Sequence, residues 1–280
     1  MKFVTLNNGI KMPQLGYGVY QISAEDCERC VTDAIDEGYR LIDTAQSYGN
    51  EEGVGNAIAK SDIPRSEFFI VTKIWIANSG YEKAKASINE SLKKLRSDYI
   101  DLILIHQPFG DYYGTYRAME EAYKQSKVRA IGVSNFYTDR LIDLVNFSEI
   151  PPMIDQVETH PFDQQVSAKK YMDKYDVQIM SWGPFAEGRN NMFMNETLVS
   201  IASKYRRSVA QIVLRFLIQS GIVVIPKSVR KERMAENISI FDFVLLEEDM
   251  DRIRALDKKE SLFFSHTDPE TVERFMSLKR

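Results

Sequence analysis

The sequence predicts an α/β protein of the (β/α)8 (TIM) barrel class, with an N-terminal β-hairpin before the barrel and a C-terminal tail near its active-site mouth. Three observations predict it. After the hairpin, eight short apolar stretches alternate with helical stretches almost to the end of the chain. Strand cores such as Leu102-Ile103-Leu104-Ile105 and Ile222-Val223-Val224-Ile225 are continuously apolar rather than alternating, as parallel strands covered on both faces must be. Eight such units within about 250 residues suit closure into a barrel better than an open sheet. The competing doubly wound topology lacks its usual fingerprint: G-x-G-x-x-G occurs nowhere, Gly16-Tyr17-Gly18 has no third glycine at the required offset, and there is no Walker A sequence.

Each element follows from local signals. Phe3-Val4-Thr5-Leu6 and Ile10-Lys11-Met12 flank Asn7-Asn8-Gly9, a hairpin turn. A first barrel strand is expected over 16–20. A helix over 23–37 is opened by Ser23 as N-cap, with Asp26 at N3, and is stopped by Gly38. Strand and helix then alternate over 40–44 and 51–60, 68–73 and 81–95, 99–106 and 115–126, 128–133 and 138–144, and 153–158 and 167–175. Strand 178–182 leads to helical stretches 196–205 and 208–219, and strand 222–225 to a helix over 231–239. A last helix ends near Asp257. No Pro/Gly/Ser linker or composition break divides the chain, so residues 1–280 read as a single domain.

The 280 residues are 44% hydrophobic, enough for one large buried core. A count of 36 basic against 40 acidic residues, net −4, argues against nucleic acid or an anionic membrane as the main partner. It leaves room for a small basic pocket. The start has no apolar core of signal-peptide length, and no run approaches the roughly 18 apolar residues of a membrane span. A cytoplasmic location is therefore expected. Cys27 and Cys30 form a C-x-x-C, but a structural zinc needs four ligands. No second pair exists, and His106, His160 and His266 are far apart in sequence. The pair is expected to be structural, and no metal site is expected.

Four polar residues at or just beyond the ends of apolar runs carry the chemistry. Asp43 closes Leu41-Ile42-Asp43, Lys73 closes Phe69-Ile70-Val71-Thr72-Lys73, and His106 closes Ile103-Leu104-Ile105-His106. Tyr48 lies in the loop five residues after Asp43. A charge at the end of a buried strand costs several kcal/mol, on the order of, unless it is partnered. Barrel active sites sit at the carboxyl ends of strands, so all four are expected at one mouth. Taken singly, Asp43 and Lys73 would be a structural ion pair, Tyr48 a loop aromatic and His106 a hydrogen-bonded core histidine. Together they form a proton donor. A phenol titrates near ~10, an adjacent ammonium lowers that value, Asp43 fixes the ammonium, and the imidazole orients the accepting oxygen.

An oxygen gaining charge beside a proton donor calls for a hydride source. Strand 222–225 runs into Pro226-Lys227-Ser228-Val229-Arg230-Lys231-Glu232-Arg233. There Lys227 and Arg233 suit a phosphate clamp, with Ser228 and free backbone amides at the helix start adding donors. Glu236 and Asn237 follow at a spacing that suits an adenine amino group. A solvated basic helix start is the plainer alternative.

Five segments in order complete a pattern: Gly38-Tyr39-Arg40-Leu41-Ile42-Asp43-Thr44-Ala45 with Tyr48 and Asn50-Glu51-Glu52; Thr72-Lys73; Asp101-Leu102-Ile103-Leu104-Ile105-His106; Ile131-Gly132-Val133-Ser134-Asn135-Phe136; and Ile225-Pro226-Lys227-Ser228. From the hairpin to about Asp257 the chain resembles the aldo-keto reductase superfamily, most closely the bacterial 2,5-diketo-gluconate reductase and glyoxal/methylglyoxal reductase group. The resemblance implies NADPH as cofactor, no metal, a monomer, and reduction of small aldehydes, dicarbonyls or keto-sugars. It implies Tyr48 as proton donor, Lys73 and Asp43 as its tuners, and His106 as the group orienting the carbonyl. Gly18, Val19, Tyr20, Gly183, Phe185 and Val229 then line the cofactor. Ser134, Asn135 and Gln156 hold the nicotinamide carboxamide, and Trp182 stacks on its ring. Lys227, Ser228 and Arg233 take the 2′-phosphate, and Glu236 and Asn237 the adenine. Tyr20, Trp75, Gln107, Phe109, Phe263 and Phe264 form the expected substrate pocket. Gln107 stands where relatives often carry an aromatic residue, and Tyr20 where some carry tryptophan. The loop 108–115 brings Phe109, Tyr112 and Tyr113, and the tail 261–280 brings His266. Two other classes remain: a non-catalytic NADPH-binding regulatory protein on this fold, and a barrel hydrolase using Glu158 or Glu187, for which no paired-carboxylate logic exists.

Overall fold

A computed structural model describes residues 2–278 of the chain. The hairpin pairs β1 (Phe3–Thr5) antiparallel with β2 (Lys11–Pro13), and Gly9 turns it at φ +84°, a conformation natural to glycine. Asn7 in the turn donates to the carbonyls of Pro152 and Asp176 at 3.3 and 3.1 Å, just ahead of two barrel strands. The hairpin is thereby fastened across the amino-terminal end of the barrel.

Eight parallel strands follow in chain order: β3 (Tyr17–Gly18), β4 (Leu41–Asp43), β5 (Phe69–Ile74), β6 (Leu102–Ile105), β7 (Ile131–Ser134), β8 (Ile154–Glu158), β9 (Gln178–Trp182) and β10 (Val223–Val224). The sheet closes at a seam where the Gly16 N–H donates to the Val224 carbonyl at 2.8 Å, Val224 N–H to Gln14 at 3.0 Å and Gly18 N–H to Pro226 at 3.1 Å. Only glycine fits at Gly18, because a Cβ there would lie 2.9 Å from the Ile225 carbonyl oxygen. The barrel strand residues other than Gln178 and Trp182 are buried, as their apolar runs covered on both faces require.

The helices around the sheet are α1 (Ala24–Asp36), α2 (Glu51–Lys60), α3 (Tyr81–Lys94), α4 (Tyr112–Lys124), α5 (Thr138–Phe147), α6 (Val166–Lys174), α7 (Glu196–Tyr205), α8 (Val209–Gln219), α9 (Lys231–Ile238), α10 (Glu247–Arg254) and α11 (Pro269–Ser277). Ser23 caps α1 by accepting from the Asp26 N–H, and Ser208 with Gln211 forms a capping box on α8. Among the described residues no helix is long and apolar enough to cross a membrane.

β3 is shorter than 16–20, β7 starts at Ile131 rather than 128 and α5 runs to Phe147 rather than 144; three further differences have a visible local cause or bear on the mouth. α4 starts at Tyr112 rather than 115, because the Asp111 side chain accepts from the Gly114 N–H and nucleates the turn earlier. Tyr112 and Tyr113 are thus helical rather than loop residues. The tail carries a helix, α11, capped by Asp268 with Pro269 at its first position. β6 is shorter than 99–106 because the buried Asp101 carboxylate takes over the pairing, accepting from Ile70 N–H at 2.9 Å and from Arg65 and Arg129.

Candidate active site

The carboxyl ends of β4, β5 and β6 bring the four sequence-derived residues together. Asp43 ends β4, Lys73 is the penultimate residue of β5, and His106 follows β6 directly. Tyr48 rides on a 3-10 turn, Gln46–Tyr48, that closes at Gly49 with φ +68°. Asn50 secures that turn, accepting from Thr44 Oγ1 at 2.8 Å and donating to the carbonyls of Val19 and Ile22 at 3.0 Å each. Lys73 has no exposed side-chain surface; its Nζ donates to Asp43 Oδ1 at 2.6 Å, to the Thr44 carbonyl at 2.9 Å and to the Tyr48 hydroxyl at 3.5 Å. The second Asp43 oxygen accepts from Gln156 Nε2 at 2.8 Å. The Tyr48 ring meets Tyr20 at 5.0 Å and the edge of His106 at 5.6 Å, and Trp75 meets His106 at 5.2 Å.

Burial dominates the charges here. It pushes the Asp43 carboxyl up and the Lys73 ammonium down, each opposed by the attraction of its partner. His106 is held well below the ordinary histidine range by burial and by the nearby Lys73 charge, so it is a neutral imidazole at neutral pH. Its Nδ1 lies 3.3 Å from Ser47 Oγ. The expectation that Lys73 lowers the Tyr48 phenol is corrected. Burial and the Asp43 charge raise it well above its usual value, because the ammonium is committed to Asp43 and stands farther from the hydroxyl.

Next to these residues, β7, β8 and β9 end in a connected row. Ser134 Oγ donates to the Gln156 carbonyl at 2.8 Å. Asn135 Nδ2 donates to the His106 carbonyl and to Ser134 Oγ, each at 3.1 Å, and Trp182 Nε1 donates to Asn135 Oδ1 at 2.8 Å. Asn135 holds φ +63°, which aims its carboxamide into the row. Gln156 Oε1 accepts no hydrogen bond among the described residues, leaving an acceptor beside Asp43.

Across the seam, Ser228 is fixed by Tyr17, whose hydroxyl donates to the Ser228 carbonyl, and its own Oγ accepts from the Arg230 N–H at 3.1 Å. Lys231 is engaged by Asp33, Asp36 and Glu37 at 3.9, 3.0 and 4.0 Å, whereas Lys227 and Arg233 are exposed and make no ion pair among the described residues. Two unneutralised cations beside the uncapped start of α9 are a donor set that fits a phosphate. Asn237 is buried and Glu236 half-buried on the same helix, and Val229 is exposed. Val19 is buried, its N–H donating to the Asp43 carbonyl at 3.0 Å. Gly183 sits at φ +62° under Phe263, and Phe185 packs on Phe193 rather than on the four residues.

The tail crosses the mouth. Phe263 meets Trp182 at 5.2 Å, and Phe264 stacks over it at 6.4 Å. Trp75 packs on Phe275 and donates from Nε1 to the Leu278 carbonyl at 3.2 Å. Gln107 is committed to His266, 2.7 Å from its Nε2, and Phe109 is buried against His266 and Phe275. Glu158 is engaged by His160 and the tail, and Glu187 is partly exposed beside Gln21, so neither is a free hydrolytic acid. Cys27 and Cys30 are buried free thiols on α1, with burial pushing Cys27 up to about 12.

Sequence reasoning missed two contributors, Gln46 and Ser47, and the pairing of Gln107. Gln46 accepts from the Trp75 N–H and from Asn78 at 3.0 and 2.8 Å, tying the Tyr48 turn to the β5 end; Ser47 contacts His106; and Gln107 is paired through His266. Gln46 and Ser47 carry no local signal, since both look like ordinary polar loop residues. The Asp268-Pro269 start of α11 was a signal that the tail is ordered.

A model of the aldo/keto reductase family matches residues 8–258. Glyoxal reductase of Bacillus subtilis (strain 168) is 46% identical over 259 residues, covering 92% of this chain and 93% of that protein. Methylglyoxal reductase DkgA of Escherichia coli (strain K12) is 39% identical over 262 residues, covering 92% and 94%. An aldo-keto reductase enzyme from a Medee basin deep-sea metagenome library superposes with a TM-score of 0.93 at 44% identity, covering 95% of this chain and 98% of that one. A Bombyx mori aldo-keto reductase in complex with NADP gives 0.89 at 34% identity, with 97% and 96% covered.

Two outcomes follow from this geometry. Lys73→Met should destabilise the protein by about 3–5 kcal/mol in urea melts by stranding the Asp43 charge, and adding Asp43→Asn should recover much of the loss. His266 is lowered to about 4, first by burial and then by Arg140. Its contribution is present above the unfolded value near ~6.5 and is lost as pH falls toward about 4, by up to about 3 kcal/mol. Melts across that window should steepen for the native chain relative to His266→Gln.

Proposed function

This chain belongs to the aldo/keto reductase family and is an NADP-dependent oxidoreductase, and we propose that it reduces small aldehydes, dicarbonyls or keto-sugars to alcohols with Tyr48 as the proton donor. The observation that carries this reading is Lys73, wholly buried between Asp43 at 2.6 Å and the Tyr48 hydroxyl at 3.5 Å. We take residues 1–280 as one reductase unit.

NADPH, when bound, supplies hydride to the carbonyl carbon. The carbonyl oxygen then gains charge, and Tyr48 gives it the hydroxyl proton. An alkoxide is a far stronger base than a phenolate, so this transfer runs downhill even from a phenol raised by burial. The phenolate left behind faces the Lys73 ammonium, which Asp43 and the Thr44 carbonyl hold in place. His106, being neutral, keeps one ring N–H to donate to the same oxygen without competing as an acid. Ser134, Asn135 and Gln156 suit the nicotinamide carboxamide, Trp182 its ring, and Lys227, Ser228 and Arg233 the 2′-phosphate.

The relatives' names support small dicarbonyls as substrates. So does the mouth, where aromatic walls carry one buried polar pair, Gln107 and His266. Tyr48→Phe should lower turnover of a small aldehyde by roughly 10²–10⁴-fold while NADPH still quenches protein fluorescence. Near-normal turnover would remove Tyr48 from the role. Binding without turnover in the native chain, across a broad carbonyl panel, would instead favour a regulatory protein. Lys227→Gly should raise the Kd for NADPH far more than for NADH; equal losses refute the 2′-phosphate assignment.

A further inference from the structure

Glu158 has no part in the chemistry above, yet it is 6% exposed and fully engaged. It ends β8 two residues after Gln156, so both side chains leave the same face of the strand. Gln156 reaches Asp43 in the barrel, whereas Glu158 reaches the tail. Ser261 Oγ donates to Glu158 Oε2 at 2.5 Å, and the Leu262 N–H donates to Oε1 at 2.8 Å. His160 lies 2.9 Å from Oε1 through Nε2; its Nδ1 accepts from the Phe162 and Asp163 N–H groups at 3.2 Å each, which places the ring hydrogen on Nε2, facing Glu158.

The segment held in this way covers the mouth. Ser261 Oγ accepts from the Phe263 and Phe264 N–H groups at 3.0 and 3.1 Å, fixing the turn that presents both rings. Those rings lie on Trp182, the residue in register with Glu158 on the neighbouring strand. We propose that Glu158 is a specificity-determining positioning residue, latching residues 261–264 over the mouth and so setting the depth of the substrate pocket to a small carbonyl.

The physical case rests on how few alternatives the segment has. One carboxylate satisfies a hydroxyl, a backbone N–H and an imidazole N–H at once, and removing it leaves those donors short of an acceptor in a desolvated place. Arg189 also touches the segment, donating to the Leu262 carbonyl at 3.2 Å with its guanidinium 4.5 Å from the Phe263 ring, but it is half-exposed and comes from a loop. The strand contact is the rigid one. Through β8 the tail is held at a fixed distance from Asp43, and therefore from the reacting carbonyl.

The inference rests on the carbonyl-reductase reading, and the experiment separates the two. Kinetics of the full chain with NADPH would be measured on methylglyoxal and on a bulky aryl aldehyde, for the native protein, Glu158→Ala, Glu158→Gln and Ser261→Ala. Glu158→Ala should raise KM for methylglyoxal roughly tenfold, leave kcat within about threefold, and shift the small-to-bulky ratio of kcat/KM toward the bulky aldehyde by roughly tenfold. Glu158→Gln keeps an acceptor oxygen for Leu262 and should recover part of the loss. Ser261→Ala should shift preference in the same direction without touching the strand, which covers the case of an alanine variant that fails to fold. NADPH affinity should stay near native in all three. An active native enzyme whose size preference is unchanged in Ser261→Ala and in whichever Glu158 variant folds overturns the latch alone. A native chain that reduces neither aldehyde overturns the carbonyl-reductase reading, and the pocket-setting role with it.

Discussion

The site depends on one interaction, the buried pair between Lys73 and Asp43. An ammonium with no exposed surface is tolerable only where every donor finds an oxygen, and here three are supplied at 2.6, 2.9 and 3.5 Å. Those oxygens belong to β4 and to the loop that follows it, while the ammonium belongs to β5. The register that sets Asp43 against Val71 therefore serves both pairing and charge. A one-residue slip would turn the ammonium out of the barrel. The same requirement draws in Gln156 from β8, which completes Asp43 and ties the pair to the row formed by Ser134, Asn135 and Trp182. What reads as catalytic equipment is also the polar core of the barrel mouth.

The fold was legible because parallel strands covered on both faces need unbroken apolar runs, and each run ended at a turn signal. The gathering of Asp43, Tyr48, Lys73 and His106 at one mouth was legible for a related reason, since a charge closing an apolar run is expensive and stands out. Boundaries were less readable where a polar side chain replaced a backbone partner, as Asp101 does beside β6 and Asp111 does before α4. The protonation balance of Tyr48 was not readable at all. It depends first on how deeply the phenol is buried and then on how close the Asp43 charge lies, neither of which spacing along the chain encodes. The support given by Gln46 and Ser47 was hidden likewise, because a glutamine and a serine in a polar loop look the same whether or not they hold the turn that carries Tyr48.

The tail shows a division of labour among the strand ends. The ends of β4, β5 and β6 carry the polar cluster of Asp43, Lys73 and His106, β7 to β9 supply the hydrogen-bonded row, and the last residue of β8 faces the segment that roofs both. On the proposed reading, substrate size and proton transfer would be governed by different residues on common rigid supports. Polar anchors at Gln107 and Glu158 give the aromatic tail a defined seat, so that Phe263, Phe264 and Phe275 act as walls and not as a loose apolar cover.

The seam between β3 and β10 joins residues that lie about two hundred positions apart, at the two ends of the barrel sequence. Contacts of that separation are among the slowest to form, because nearly all the chain must be ordered before they are rewarded. The Lys227–Arg233 segment begins immediately beyond this seam, and Tyr17 on the opposite side of it fixes Ser228. A ligand gripped there favours the closed ring over any open precursor by mass action. Occupancy by a dinucleotide would then act as a clasp on barrel closure, and loss of the ligand would loosen first the strands that fold last.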